Sequence, residues 1–364
     1  MRTWMKILPL ILLLSILIFF FWPEKPYKPY HVDSDYRSQV DAYYLPPMPP
    51  DWEWKSFITQ DGTHLRWGET GNGQAARATL IWIPGYTATL DMYGEHFDSW
   101  ARQGFHNVGL DLRGQGGSQR HRESQPEKLW VEDFSVYSND LAEFVQSLKL
   151  SNERPVILVG MSFGGHVVLR AVGDHKLDVD GLYLLAPAIQ PLPGEETIED
   201  LLRYLNIGRK LGKSQHYVRG ESNWKPDKAY NDFSVASVEL CSTEPKRLYH
   251  RDVIFTREPD QRVGGVTYHW AAEFLESSQF ILKNGYLEEI ALPITIISAS
   301  FDTFVRNDTI TKTCSTRFPN CVEFQIPNTG HCLLQERDEV ITEIYKLSEK
   351  LFERLNLDED KLTQ

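Results

Sequence analysis

The amino-acid sequence predicts an α/β fold: a mostly parallel eight-stranded sheet with helices on both faces and an inserted helical lid. Three observations predict it. From Asp51 onward, short apolar runs alternate with amphipathic stretches, the pattern of a parallel sheet covered by helices. A strand-like run meets a helix-like stretch at Gly160-Met161-Ser162-Phe163-Gly164. Between Pro191 and about Ala291 the strand rhythm stops, then resumes.

Trp52 to Thr59 and Thr63 to Trp67, joined at Gln60-Asp61-Gly62, predict an opening antiparallel hairpin. Ala78 to Pro84 is a continuous apolar run ending at Gly85, as expected of a buried strand. A helical stretch over Met92 to Gln103 leads to a second buried strand, His106 to Leu112. Leu129 to Leu148 carries Phe134, Leu141, Phe144, Val145 and Leu148 at helical spacing. Pro155 to Met161 is the next strand and Phe163 to Val172 the helix after it. Val179 to Ala188, Leu292 to Ala299 and Val322 to Pro327 complete the sheet, and Val340, Ile344, Leu347, Leu351 and Leu355 mark a closing helix.

The organisation that follows is an N-terminal anchor over 1–22, a proline-rich stalk over 23–51, a core over 52–190 and 291–357, a lid over 191–290 and a tail over 358–364. The lid is too long for a structureless connection, so it must fold. Ile7 to Trp22 is an apolar run flanked by Arg2, Lys6, Glu24 and Lys25. At ~0.3 to 0.6 kcal/mol per Leu, Ile or Phe, insertion outweighs the cost of Pro9 and Ser15. Bulky or rigid residues follow where a signal peptidase needs small ones, which favours an uncleaved anchor. The cationic N-terminus favours an inside orientation, with the remaining chain beyond the membrane. Pro23 to Pro50 lacks periodicity and suits a semi-rigid spacer.

A formal net charge of −12 excludes a phosphate-backbone partner, because such binders concentrate Lys and Arg. Nucleic acid is not expected. The four cysteines, Cys241, Cys314, Cys321 and Cys332, have neither a CxxC pair nor His at zinc-finger spacing, so no metal is expected. Cys314 and Cys321 could bridge in an oxidising compartment, with buried thiols as the favoured alternative.

Gly160-Met161-Ser162-Phe163-Gly164 is a GxSxG pentapeptide in the setting a nucleophile elbow requires, a strand before and a helix after. The competing reading is a glycine-rich turn without chemistry. A neutral Ser hydroxyl needs a base within reach and an acid to fix that base's tautomer. Asp302 follows the strand ending at Ala299, and His331 follows the strand ending at Pro327, so both lie at the sheet edge that bears Ser162. Asp308 is the alternative acid. The backbone amides of Phe163 and of Tyr86, in the loop after the Ala78–Pro84 run, are the candidate oxyanion donors. His166 and His269 read as packing or surface residues. No cofactor is needed.

These residues make the chain resemble the monoglyceride lipase and bacterial inner-membrane lysophospholipase branch of the α/β hydrolases, over approximately Trp52 to Leu355. Asp111-Leu112-Arg113-Gly114-Gln115-Gly116-Gly117-Ser118 looks like that branch's loop, and Arg262-Val263-Gly264-Gly265-Val266-Thr267-Tyr268-His269-Trp270 like its lid segment. Pro84 departs from the pattern, where relatives commonly carry His. The resemblance implies a triad of Ser162, Asp302 and His331, an oxyanion hole from Tyr86 and Phe163, and removal of a single acyl chain from a monoacylglycerol or lysophospholipid. The anchor and proline stalk are a second departure, which the resemblance does not explain. With the orientation read from the cationic N-terminus, the expected location is a bacterial inner membrane with the catalytic domain on the periplasmic side. Oligomeric state is left open.

Tyr204, Tyr217, Trp224, Tyr230, Phe233, Tyr249, Phe255, Tyr268 and Trp270 in the lid could line a lipid channel, or could form the lid's own small core. Tyr86, Phe163, Tyr268 and Trp270 are the candidate substrate contacts. The rival readings are a serine aminopeptidase or amidase on the same fold, expected to gather lid carboxylates such as Glu196, Glu199 or Asp200 near Ser162, and a membrane-tethered binding protein without catalysis.

Overall fold

The structure is a computed structural model that describes residues 26–70, 76–150, 154–192, 194, 196–226 and 241–355. The predicted anchor over 1–22 and tail over 358–364 lie outside the described residues, as do Tyr230 and Phe233.

Eight strands form one sheet among the described residues: β1 (Trp52–Ile58), β2 (His64–Thr70), β3 (Thr79–Ile83), β4 (His106–Leu110), β5 (Val156–Met161), β6 (Gly181–Leu185), β7 (Ile294–Ala299) and β8 (Cys321–Ile326). Their order is β1-β2-β4-β3-β5-β6-β7-β8, antiparallel through β1, β2 and β4 and parallel thereafter. Every residue of β3 through β7 is buried. A strand covered on both faces has no polar side, which is why most of these segments read as apolar runs; the buried His106 and Asn107 of β4 are exceptions, bonded to Glu69 and Trp82.

Helices α2 (Gly94–Arg102) and α10 (Asp338–Arg354) meet on one face, where Trp100 packs edge-on against Tyr345 and Phe352 and against Trp82 of β3. The opposite face is covered by α3 (Ser135–Ser147) and α4 (Phe163–His175), with Phe144 against Trp67 and Phe57. Helix α3 begins six residues later than the periodicity predicts. Leu129, Val131 and Phe134 are buried, but from a loop.

Between β6 and β7 lie α5 (Ile198–Lys210), α6 (Pro245–Leu248), α7 (His250–Arg257) and α8 (Tyr268–Ile281), and after β7 comes α9 (Asn307–Thr316). Helices α5 and α8 share a small cluster of Ile198, Leu205, Tyr268, Ala272 and Leu275, while Trp270 and Phe274 of α8 reach down to Phe163. Among the described residues no helix is long and apolar enough to cross a membrane.

The described part of the expected spacer, from Pro26, is packed rather than extended into solvent. Helix α1 (Ser34–Ala42) is capped by Asp33, whose carboxylate accepts from Tyr36 N at 2.9 Å. Tyr36 and Val40, four residues apart on one face of the helix, are buried, as is Val32 just before the cap. Arg257 donates to the carbonyls of Val40 and Tyr43, Arg262 to that of Tyr30, and the Tyr27 hydroxyl to Glu127. The segment is a strap over the inserted helices.

The favoured reading of buried thiols is also overturned. Cys314 and Cys321 form a disulfide with Cα atoms 5.2 Å apart, because Cys314 sits in α9 and Cys321 opens β8 directly after it. Cys241 pairs with Cys332 across 91 residues, tying the inserted segment to the loop that carries His331.

Candidate active site

Strand β5 and helix α4 meet at Ser162, which has φ 50° and ψ −116°, a conformation few non-glycine residues adopt. The flanking glycines allow it through close packing. A side chain on Gly160 would stand 2.7 Å from Gly165 Cα, and one on Gly164 would collide with the carbonyls of Ile83 and Pro84. Ser162 N donates to Leu185 O at 2.9 Å, and Ser162 O accepts from His166 N and Ala188 N, so the turn is held on three sides.

His331 Nε2 lies 2.7 Å from Ser162 Oγ, and His331 Nδ1 lies 2.6 Å from Asp302 Oδ2. The Asp302 side chain is fully buried, and its other oxygen accepts from Phe304 N at 2.8 Å and Val305 N at 2.9 Å. The carboxylate is therefore fixed in the orientation that keeps a proton on Nδ1 and leaves Nε2 free to accept from the serine hydroxyl. The structure brings these three predicted residues together. Asp308 instead pairs with Arg306.

Tyr86 lies in the loop after β3, where Gly85 packs against Ser162 Cβ. Among the described residues neither Tyr86 N nor Phe163 N donates a hydrogen bond. Phe163 N stands at the first turn of α4, whose dipole favours negative charge there. Gln115 was not singled out as a site residue, yet it braces this loop from within the protein: its Oε1 accepts from Thr87 N at 2.7 Å and its Nε2 donates to Gly85 O at 3.2 Å. Glu336 likewise escapes a sequence reading. Completely buried, it accepts from Gly330 N, beside His331, and from Thr243 N and Oγ1 of the inserted segment. Gln115 lies within the loop motif over 111–118, but its partners, like the Thr243 partner of Glu336, are on segments distant in sequence, so no local signal announces either role.

A cavity of about 670 Å³ opens above Ser162, lined by Met92, Leu185, Leu248, Val263, Trp270 and Leu275 among other apolar side chains. Of the candidate contacts, Tyr86, Phe163 and Trp270 line it, together with Trp224 of the lid aromatics. Tyr268 does not: its hydroxyl turns away to Tyr204, 2.8 Å distant, in the α5–α8 cluster. Tyr249 and Phe255 are likewise core, and Tyr217 lines a neighbouring cavity. Glu196, Glu199 and Asp200 stand on the exposed surface and do not line the cavity.

His166 is buried and neutral, bonded to Ala188 O and Ser277 Oγ, and desolvation pushes its pKa down to about 3. His269 stacks on Trp130 and bonds Glu132 O. Among the described residues no cluster of His, Cys, Asp and Glu could hold a metal ion.

Residues 74–338 match the family described as serine aminopeptidase, S33. The probable lysophospholipase L2 of Haemophilus influenzae is 24% identical over 273 residues, covering 75% of this chain and 82% of that protein. The monoglyceride lipase of Rattus norvegicus is 32% identical over 129 residues, 33% of this chain and 43% of that one. A soluble variant of monoglyceride lipase from Saccharomyces cerevisiae, solved with a substrate analogue, shares the fold with a TM-score of 0.65 at 17% identity, over 85% of this chain and 97% of that one.

Proposed function

The chain belongs to the serine aminopeptidase S33 family, and from that premise we propose that it is a serine ester hydrolase that removes a single acyl chain from a monoacylglycerol or lysophospholipid. The observation that carries this reading is the relay from Asp302 through His331 to Ser162 Oγ, opening into an apolar cavity.

In this reading Ser162 Oγ attacks the ester carbonyl as its proton passes to His331 Nε2, and Asp302 steadies the imidazolium. The amides of Tyr86 and Phe163 receive the oxyanion, a contribution of ~2.7 to 4 kcal/mol per donor. His331 returns the proton to the departing alcohol. It then takes one from water, which attacks the acyl group on Ser162, and gives that proton to Ser162 Oγ as the acid leaves. Each acyl methylene buried in the cavity stabilises the complex by ~0.8 kcal/mol, so long chains are preferred.

A p-nitrophenyl ester series assayed beside aminoacyl anilides tests the reading. Ester turnover that rises with chain length supports it, and faster anilide turnover overturns it. The exposed positions of Glu196, Glu199 and Asp200 favour the ester reading. We also propose that the apolar run over 7–22 holds the enzyme at a bacterial inner membrane with the catalytic domain on the periplasmic side. Both disulfides suit an oxidising compartment. Release of the full-length protein by alkaline carbonate would overturn the anchoring.

A further inference from the structure

The loop that carries the Tyr86 amide does not hold itself. Thr87, the next residue, has φ 58°, a left-handed conformation that a β-branched residue keeps only when its surroundings impose it. Gln115 supplies one constraint, on the backbone at Gly85 and Thr87. The other acts through a side chain: the Tyr86 hydroxyl donates to Gly264 O at 2.9 Å, and its ring lies 5.0 Å from that of Trp270.

Gly264 is in turn fixed from outside the cavity. Its N–H donates to Glu127 O at 2.8 Å, and Gly265 N donates to Ser222 O at 2.9 Å, which joins residues 263–266 and 220–225 into one cavity wall. The Glu127 side chain closes the arrangement. Only 1% exposed, Glu127 accepts from Trp224 N at 2.5 Å through one carboxylate oxygen and from the Tyr27 hydroxyl at 2.9 Å through the other. Its backbone and its carboxylate thus clamp both halves of the wall.

Tyr27 belongs to the strap, which precedes the residues 74–338 that match the family. More of the strap is committed to the same wall. Tyr30 O accepts from Arg262 Nη1 at 2.9 Å, the Tyr30 ring stands edge-on to Trp224, and Lys28 O accepts from Asn223 Nδ2 at 3.3 Å. A segment that merely spaced two parts of the chain would need none of these contacts. Hydrogen bonds run without a break from Tyr27 through Glu127 and Gly264 to the Tyr86 hydroxyl.

We propose that Tyr27 and Glu127 are positioning residues for ester hydrolysis, acting through Gly264 and the Tyr86 hydroxyl to hold the Tyr86 amide where the oxyanion forms. The strap is then part of the machinery, although it touches neither Ser162 nor the cavity above it. The inference rests on the ester-hydrolase reading and adds to it a second brace on the oxyanion loop.

The test uses the full chain, a long-chain p-nitrophenyl ester and active sites titrated by a fluorophosphonate, so that a misfolded fraction drops out. Tyr27→Phe removes the first link and Tyr86→Phe the last. Tyr27→Phe is expected to lower kcat about fivefold with KM within twofold of wild type. In the Tyr86→Phe background the same substitution should cost less than twofold, because the path is already cut. A residue that served stability alone would shift the urea midpoint and leave kcat per titrated site unchanged. Glu127→Gln can keep its oxygen on Trp224 N and turn its NH2 to the Tyr27 oxygen, so its kcat should stay within twofold of wild type, while Glu127→Ala loses at least tenfold. A Tyr27→Phe kcat within twofold of wild type, the same factor lost in both backgrounds, or a Gln variant as impaired as the Ala variant overturns the inference and leaves the hydrolase intact. Wild-type enzyme that neither turns over the ester nor takes the label overturns the ester-hydrolase reading itself.

Discussion

Replacing Asp302 by Asn changes one atom, and the geometry dictates where that atom goes. Asp302 Oδ1 accepts two backbone amides, from Phe304 at 2.8 Å and Val305 at 2.9 Å. An asparagine must keep its oxygen there, since turning its NH2 toward two N–H donors would leave both unmade in a buried site at ~1 to 3 kcal/mol each. Its NH2 then faces His331 Nδ1, which has to become an acceptor. The ring proton moves to Nε2, and the imidazole can no longer receive a proton from Ser162 Oγ. Comparable loss of the correct tautomer lowers kcat by ~10⁴ in serine hydrolases, or about 5.4 kcal/mol of transition-state stabilisation. The two backbone bonds survive, so the urea midpoint should stay close to wild type. The assay is steady-state hydrolysis of a long-chain p-nitrophenyl ester, read beside that midpoint. A variant folded like wild type with kcat within tenfold of it would refute the tautomer argument and move the acid role to another residue.

Gln115→Leu should lower kcat by ~10² with KM little changed, because Thr87 N and Gly85 O lose the side chain that sets the oxyanion loop. A kcat within threefold of wild type would show that the loop holds itself. The Cys241–Cys332 bridge closes a loop of 91 residues and Cys314–Cys321 one of 7. Chain entropy assigns them about 4.6 and about 2.4 kcal/mol. Cys241→Ser/Cys332→Ser should therefore unfold at lower urea than Cys314→Ser/Cys321→Ser, and the reverse order would contradict this.

Burial holds His96, His166 and His250 neutral, with pKa values pushed from 6.5 down to about 4, about 3 and about 4. Below about 6.5 the unfolded chain binds protons that the folded chain refuses until near 4. Stability must then fall with pH across that window, by up to about 1.4 kcal/mol per pH unit for each histidine. Equal urea midpoints at pH 7.5 and 5.0 would contradict it.

What the sequence made legible was local or repeated. The strands buried on both faces are mostly apolar runs, β4 with His106 and Asn107 excepted, and their predicted limits fall within about three residues of the observed ones. Ser162 could be found because strand, glycines and helix adjoin one another. Asp302 and His331 could be found because parallel strands place their following loops on one edge. Contacts between distant segments left no such trace. Nothing near Cys241 announces Cys332, and a glutamine between glycines does not declare which loop it braces.

The strap is a different kind of miss. Asp33 as a cap and Tyr36 and Val40 four apart were readable as a helix, but the surrounding prolines suggested a spacer. Tyr268 shows the limit of composition: an aromatic-rich lid divides its rings between a cavity wall and its own small core, and only packing decides which goes where.

The central claim is that Ser162 is made nucleophilic by His331. Mass spectrometry of the intact protein after fluorophosphonate treatment, with the modified peptide then located, tests it directly in wild type and in His331→Ala. One adduct per wild-type chain is expected, on Ser162, with labelling at least a hundredfold slower in the variant. No adduct, an adduct on another residue, or equal rates in the two proteins would contradict it.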